Sequence, residues 1–225
     1  MSGLRVCVIS SGNGGAFKAF CRLTGVTASN VLIITDRPCG IEAFARESAI
    51  EHVRVEAPRN EDFSELAAGH IARFGGVNFV FLFFTRLVTP ALWDRYPVVN
   101  FHPSLLPAFP GFQPIQRALQ KRVKFFGTTM HLVDNTVDDG AILAQAICPL
   151  GGAEDADRLE QVAFFHKVYF MLLVAENFEE SGNTKLDFSR WPSTERFNPS
   201  LRTLKYQDLY GAVFRYNEAM DPPIP

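Results

Sequence analysis

Val98-Val99-Asn100-Phe101-His102-Pro103-Ser104-Leu105-Leu106-Pro107 is the stretch on which the reading of this chain turns. Its apolar start suits a buried strand, and the two prolines, lacking a backbone N–H, stop a sheet or helix from continuing. Asn100 and His102 therefore stand where a strand breaks into a loop. In an open α/β sheet, ligands bind at that carboxyl end. Lying two apart, the two side chains share one face of extended backbone. An amide that donates and an imidazole that titrates near neutrality, joined by a carboxylate from a later loop, make a set suited to acyl transfer. Asp138, in Val137-Asp138-Asp139-Gly140, is the carboxylate this reading selects, with Gly140 expected to take the positive φ that turns it toward the cleft.

Upstream, strand and helix alternate. Leu4 to Ile9 is β-branched and apolar, Ser10-Ser11-Gly12-Asn13-Gly14-Gly15 is a turn, and Ala16 to Leu23 suits a helix. Free N–H groups at such a helix start suit an anion, which makes Gly12, Asn13, Gly14 and Gly15 candidate substrate contacts. Strands are expected at 31–35, 52–55 and 77–82, and helices at 41–48 and 61–74, the last with Leu66, His70 and Phe74 on one side. The alternation predicts an α/β fold, a Rossmann-like doubly wound, mostly parallel sheet flanked by helices. Two further strands, 126–133 and 142–149, flank the Asp138 loop, and His131 reads as a structural residue of the first. A long helix over 154–177 follows. Residues 1–180 are expected to form the catalytic domain. Residues 181–225 form a C-terminal extension, irregular at first and then helical from Tyr206 to Met220, before Asp221-Pro222-Pro223.

With 225 residues, 47% hydrophobic and 20% charged, the chain has ample length for a core. No apolar run reaches membrane-spanning length and no leader is visible, so the expectation is a cytoplasmic protein without a membrane partner. The four cysteines are scattered, without metal-ligand spacing, and read as small buried hydrophobes. A formal net charge of −2 argues against nucleic acid as a partner. The terminal helical segments could pair in a homodimer.

Asn100-x-His102-Pro103-Ser104-Leu105-Leu106-Pro107, then Gly127-Thr128-Thr129, then His131 with Asp138 seven residues on, resembles the folate-dependent formyltransferases. That family includes enzymes acting on glycinamide ribonucleotide, methionyl-tRNA and sugar amines, and formyltetrahydrofolate hydrolase. The resemblance implies 10-formyltetrahydrofolate as formyl donor, with no metal, and a small-molecule amine as partner. It implies Asn100, His102 and Asp138 as catalytic residues. It also places Arg86, Leu87 and Val88 on the folate ring, with Val133, Asp134 and the rest of the loop to Asp138 closing the other side.

Departures from the family bear on the acceptor. Gly15 and Ala16 replace a hydroxyl and an amide of the phosphate-gripping turn, and Phe165 stands where the glycinamide ribonucleotide enzymes carry a glutamate for the ribose. Phe165 is then a candidate acceptor contact. Pro114-Ile115-Gln116-Arg117-Ala118-Leu119 is closer to the methionyl-tRNA enzymes. These features favour an amino sugar nucleotide or a modified amino acid, with glycinamide ribonucleotide as the alternative. A hydrolase that substitutes water for the amine is another, made less favourable by the absence of that group's N-terminal regulatory domain. A silent folate-binding module has no need of Asn100, His102 and Asp138 together.

Overall fold

The structure, a computed structural model, describes residues 3–182 and 184–220. Asp221-Pro222-Pro223 lies outside the described residues. The first half alternates as its hydrophobic pattern requires: β1 (Val6–Ser10), α1 (Gly15–Thr24), β2 (Val31–Thr35), α2 (Ile41–Glu47), β3 (Glu51–Arg54), α3 (Asn60–Arg73), β4 (Phe79–Phe83), α4 (Pro90–Trp93) and β5 (Val98–His102). Then come α5 (Pro114–Gln120), β6 (Phe125–Leu132), β7 (Ile142–Pro149), α6 (Ala156–Ser181), β8 (Phe197–Asn198) and α7 (Leu204–Met220). One sheet runs in the order β3-β2-β1-β4-β5-β6-β7-β8. The pairs from β3 to β5 are parallel, and those from β5 to β8 are antiparallel.

The central strands are apolar at nearly every position until their carboxyl ends because both faces are covered. Val6, Val8, Ile33, Phe79 and Phe81 point to the side of α1 and α6. Cys7, Ile9, Leu32, Ile34, Val80 and Leu82 point to the side of α3 and α4. The strand order reverses direction between β1 and β4, where Ser11 N–H donates to Phe83 O across 3.1 Å. At that switch the loops diverge and leave a cleft.

Several expectations shift. On α3 the buried stripe is Phe63, Ala67, Ala68 and Ile71, whereas Leu66 is 46% exposed. A face led by Leu66 misses the stripe that contacts the sheet. The long helix begins after Asp155, whose side chain accepts from Arg158 N–H at 2.9 Å, while Glu154 accepts instead from the amides of Gly151 and Gly152. Cys7 and Cys21 are buried, but Cys39 and Cys148 are only partly so. The irregular stretch after Ser181 contains β8, which extends the sheet beyond β7. Phe197 stacks on Tyr169 at 3.9 Å, Leu201 N–H donates to Tyr169 Oη, and buried Glu176 accepts from the amides of Arg202 and Thr203 ahead of α7. Among the described residues no helix is long and apolar enough to cross a membrane.

His166 joins α6 to the sheet, its Nδ1 3.2 Å from Thr128 Oγ1 and its ring 5% exposed. Burial pushes its pKa down to about 4. An unfolded chain takes up that proton near 6.5, so the stability tied to a neutral His166 is complete above that pH. It drains away as pH falls toward 4, by up to roughly 3 kcal/mol. Urea midpoints measured at pH 7 and pH 5 should therefore fall steeply with acid in the natural protein and more gently in His166→Gln. An equal fall in both would free His166 of this role.

Candidate active site

Asn100 and His102 emerge together at the end of β5, on the face their spacing predicts. Antiparallel pairing with β6 sets His131 opposite Asn100 and Thr129 opposite His102. The loop after β6 then returns Asp138 to both. Its Oδ2 lies 3.2 Å from His102 Nδ1 and its Oδ1 accepts from Asn100 Nδ2 at 3.3 Å. Oδ2 also accepts from Gly111 N–H at 2.8 Å. His131 Nε2 sits 3.2 Å from the Asn100 amide nitrogen and 3.6 Å from Asp138 Oδ1, while its Nδ1 is 2.9 Å from Leu132 O.

Side chains of the two flanking strands shape the chain that follows His102. Thr129 Oγ1 donates to Ser104 O at 2.7 Å and accepts from Leu106 N–H at 3.0 Å, and Gln145 Nε2 donates to Leu106 O at 2.9 Å. A buried hydroxyl thus satisfies backbone groups that the prolines leave without a ladder. In the later loop the positive φ falls on Asp138 itself, at 53°, and not on Gly140. Gly140 is needed for a different reason: a side chain there would collide with the Leu132 carbonyl. Aspartate tolerates the left-handed region better than most residues, which lets the carboxylate face inward.

Two acceptors flank the His102 ring, Asp138 Oδ2 at Nδ1 and Phe109 O at Nε2, the latter 2.9 Å away. Only the imidazolium donates to both. Burial opposes it and leaves the His102 pKa below the ordinary value, against the pull of the Phe109 carbonyl and of Asp138. For Asp138, burial pushes upward but is outweighed by the His131 contact, the Gly111 amide and the charge of the two imidazoles, so the carboxyl stays below its usual range. The result is a fixed carboxylate beside a ring that holds its second proton weakly. That pairing can shuttle a proton and donate to a developing oxyanion.

The remaining candidates are spread along the carboxyl edge of the sheet. Arg86 turns away from the cleft, donating to Ala57 O, Pro58 O and Asn60 Oδ1. Leu87 is 55% exposed, Val88 is buried against the α3 side, and Val133 packs on the same cluster. Asp134 accepts from Thr136 within its own loop. A cavity of 270 Å³ lies beside the Asp138 carboxylate, lined by Leu106, Pro107, Asp138, Asp139, Gly140 and Ile142. Across the switch, the Gly12–Gly15 turn leads into α1 with Gly14 at φ 61°, no capping side chain and no acidic residue in the first turn. The Phe164 ring lies 3.7 Å from where a side chain on Gly15 would begin, and Phe165 packs edge-on to Phe164 and against the core. Among the described residues no group of three or more His, Cys, Asp or Glu is arranged to hold a metal ion.

The comparisons agree with this arrangement. The family model described as formyl transferase matches residues 4–174, which carry the whole constellation. This chain belongs to the formyl transferase family. It is 31% identical over 168 residues to phosphoribosylglycinamide formyltransferase from Bacillus subtilis, covering 70% of this chain and 85% of that one. It is 36% identical over 78 residues to formyltetrahydrofolate deformylase from Haemophilus influenzae, covering 34% and 28%. In structure it matches phosphoribosylglycinamide formyltransferase from Bacillus halodurans with a TM-score of 0.66 at 29% identity, over 77% of this chain and 97% of that one.

Strand alternation alone had set His131 down as a structural residue of its strand, and the sheet register brings it into the site of this formyl transferase. The signal was in the sequence as the hairpin pairing that puts it opposite Asn100. Replacing His131 with leucine should lower kcat ten- to a hundredfold with little change in either KM, because it loosens Asn100 and Asp138 without touching a ligand. Steady-state kinetics over both substrates would check this, and an unchanged kcat would count against it.

Proposed function

We propose that this formyl transferase moves a formyl group from 10-formyltetrahydrofolate to the primary amine of a small molecule, with glycinamide ribonucleotide as the acceptor to be tried first. The juxtaposition of Asn100, His102 and Asp138 at one strand end is the observation that carries the reaction. The names of the relatives support that acceptor over the amino sugar nucleotide or modified amino acid that the sequence favoured.

The donor supplies an electrophilic formyl carbon, which the amine attacks. Asn100 Nδ2 and His102 Nε2 are the two N–H donors for the oxygen as it becomes negative, His102 exchanging its Phe109 carbonyl partner for that oxygen. Asp138, kept ionised, stabilises the charged imidazole and takes the proton of the attacking amine through a water. As the oxyanion collapses to the new amide, the bond from the formyl carbon to the donor nitrogen breaks and that nitrogen leaves with a proton returned by the His102–Asp138 pair, so the amine loses one proton and tetrahydrofolate gains one. Apolar Leu87, Val88 and Val133, with the backbone of residues 86–88 and the loop through Asp134 to Asp138, offer walls and fixed polar groups for the folate ring. The Gly12–Gly15 turn faces the acceptor.

Phe165 favours a second reading, an acceptor without a ribose diol to satisfy, since an aromatic ring has no group to accept from sugar hydroxyls. Rates of donor consumption with glycinamide ribonucleotide, with an amino sugar nucleotide and with no amine distinguish the readings. Fast turnover with the ribonucleotide alone is the expected result. Fast turnover with no amine would replace transfer by hydrolysis. Asp138→Asn and His102→Ala should each cut kcat by about 10²- to 10⁴-fold while the donor still binds. Near-normal turnover in either variant would remove that residue from the mechanism.

A further inference from the structure

Gln145 stands on β7 where two parts of the molecule meet. Its Nε2 carries two N–H groups and has two acceptors, Leu106 O at 2.9 Å and Thr129 Oγ1 at 3.1 Å. Along the other edge of β7, Gln145 pairs with Asn198 of β8, and Ile147 N–H donates to Arg196 O at 2.8 Å. β8 lies beyond residues 4–174, the stretch that the family model matches.

The grip on Leu106 reaches the reacting centre. Leu106 belongs to a turn closed on itself, with Ala108 N–H donating to Leu105 O at 2.9 Å and Ser104 Oγ to Ala108 O at 2.5 Å. The chain leaving that turn sets the Phe109 carbonyl against His102 Nε2 and the Gly111 amide against Asp138 Oδ2. So many mutual bonds make the segment move as one piece, and a shift at Leu106 is felt at both catalytic groups. β8, only two residues long, is too short to keep its place by ladder bonds. It is anchored on α6 instead: Phe197 stacks on Tyr169, Leu201 N–H donates to Tyr169 Oη at 2.8 Å, and Glu176 accepts from the amides of Arg202 and Thr203.

We propose that the chain after α6 is a working part of the active site: β8 fixes Gln145, and Gln145 is a positioning residue that holds the segment from Ser104 to Gly111 against His102 and Asp138. The inference rests on the formyl-transfer reading and extends it to residues outside the family match. A methionine at 145 keeps the size of the side chain and loses both donors. A glutamate keeps the shape and regains one donor when its carboxyl is protonated.

The experiment compares the natural protein with Gln145→Met, Gln145→Glu, Phe197→Ala and the double variant Gln145→Met/Phe197→Ala, each as the full chain. Formyl transfer from 10-formyltetrahydrofolate to glycinamide ribonucleotide gives kcat and KM, and mass spectrometry follows hydrogen exchange of the amides in 104–111. Gln145→Met should lower kcat about ten- to a hundredfold, leave the acceptor KM within about threefold, and speed that exchange at least tenfold. Phe197→Ala should act in the same direction, and the double variant should be no slower than Gln145→Met alone, because both changes break one line of support. Relative to the natural protein, Gln145→Glu should gain activity as pH falls from about 7 to about 5 and its carboxyl takes up a proton. Natural kcat or natural exchange in Gln145→Met, losses that multiply in the double variant, or no gain by Gln145→Glu in acid overturns the proposal. If the natural protein transfers no formyl group, the formyl-transfer reading falls and exchange decides: faster exchange of 104–111 in both single variants upholds the support from β8, and equal rates overturn it.

Discussion

The Asp138 carboxylate is the point on which the site depends. Groups from β5, from the loop before α5 and from β6 converge on its two oxygens: Asn100, His102, Gly111 and His131. A half-buried carboxylate is tolerable only with such partners, and each partner is oriented by meeting it. The turn that presents Asp138, the ring that answers it and the loop over them are consequently one cooperative unit.

That unit in turn requires the change of sheet direction at β5. The parallel half sets the cleft at the strand ends, and the antiparallel β6 carries the chain back past Asn100 and His102. The carboxylate then arrives from the hairpin between β6 and β7. Thr129 and Gln145, neighbours across that hairpin, hold the proline-rich segment at the mouth. Chemistry and architecture meet in a few hydroxyl and amide contacts.

Much of this was legible in the residues. β-branched runs separated by helix-length segments specify a parallel sheet, and the prolines after His102 mark a strand end whatever the tertiary context. Asn100, His102 and Asp138 could be chosen because their types have few other reasons to gather there. What was hidden depends on register and packing. His131 becomes part of the site only through its pairing with Asn100. The left-handed φ falls on Asp138, and Gly140 is required instead by the Leu132 carbonyl, whose close approach no linear reading shows. β8 is two residues long and exists because Gln145 and Ala146 offer it an edge.

Phe164 resting on Gly15 has a consequence for how such a protein can diversify. In the proposed reading the reacting groups belong to β5 and the loop after β6, whereas the acceptor would meet one glycine turn and one stripe of α6. The two share no side chain. Substitutions along that stripe can exchange one amine for another while the reacting centre stays untouched, so descent from a common ancestor preserves the reaction more faithfully than the identity of the molecule that receives the carbon.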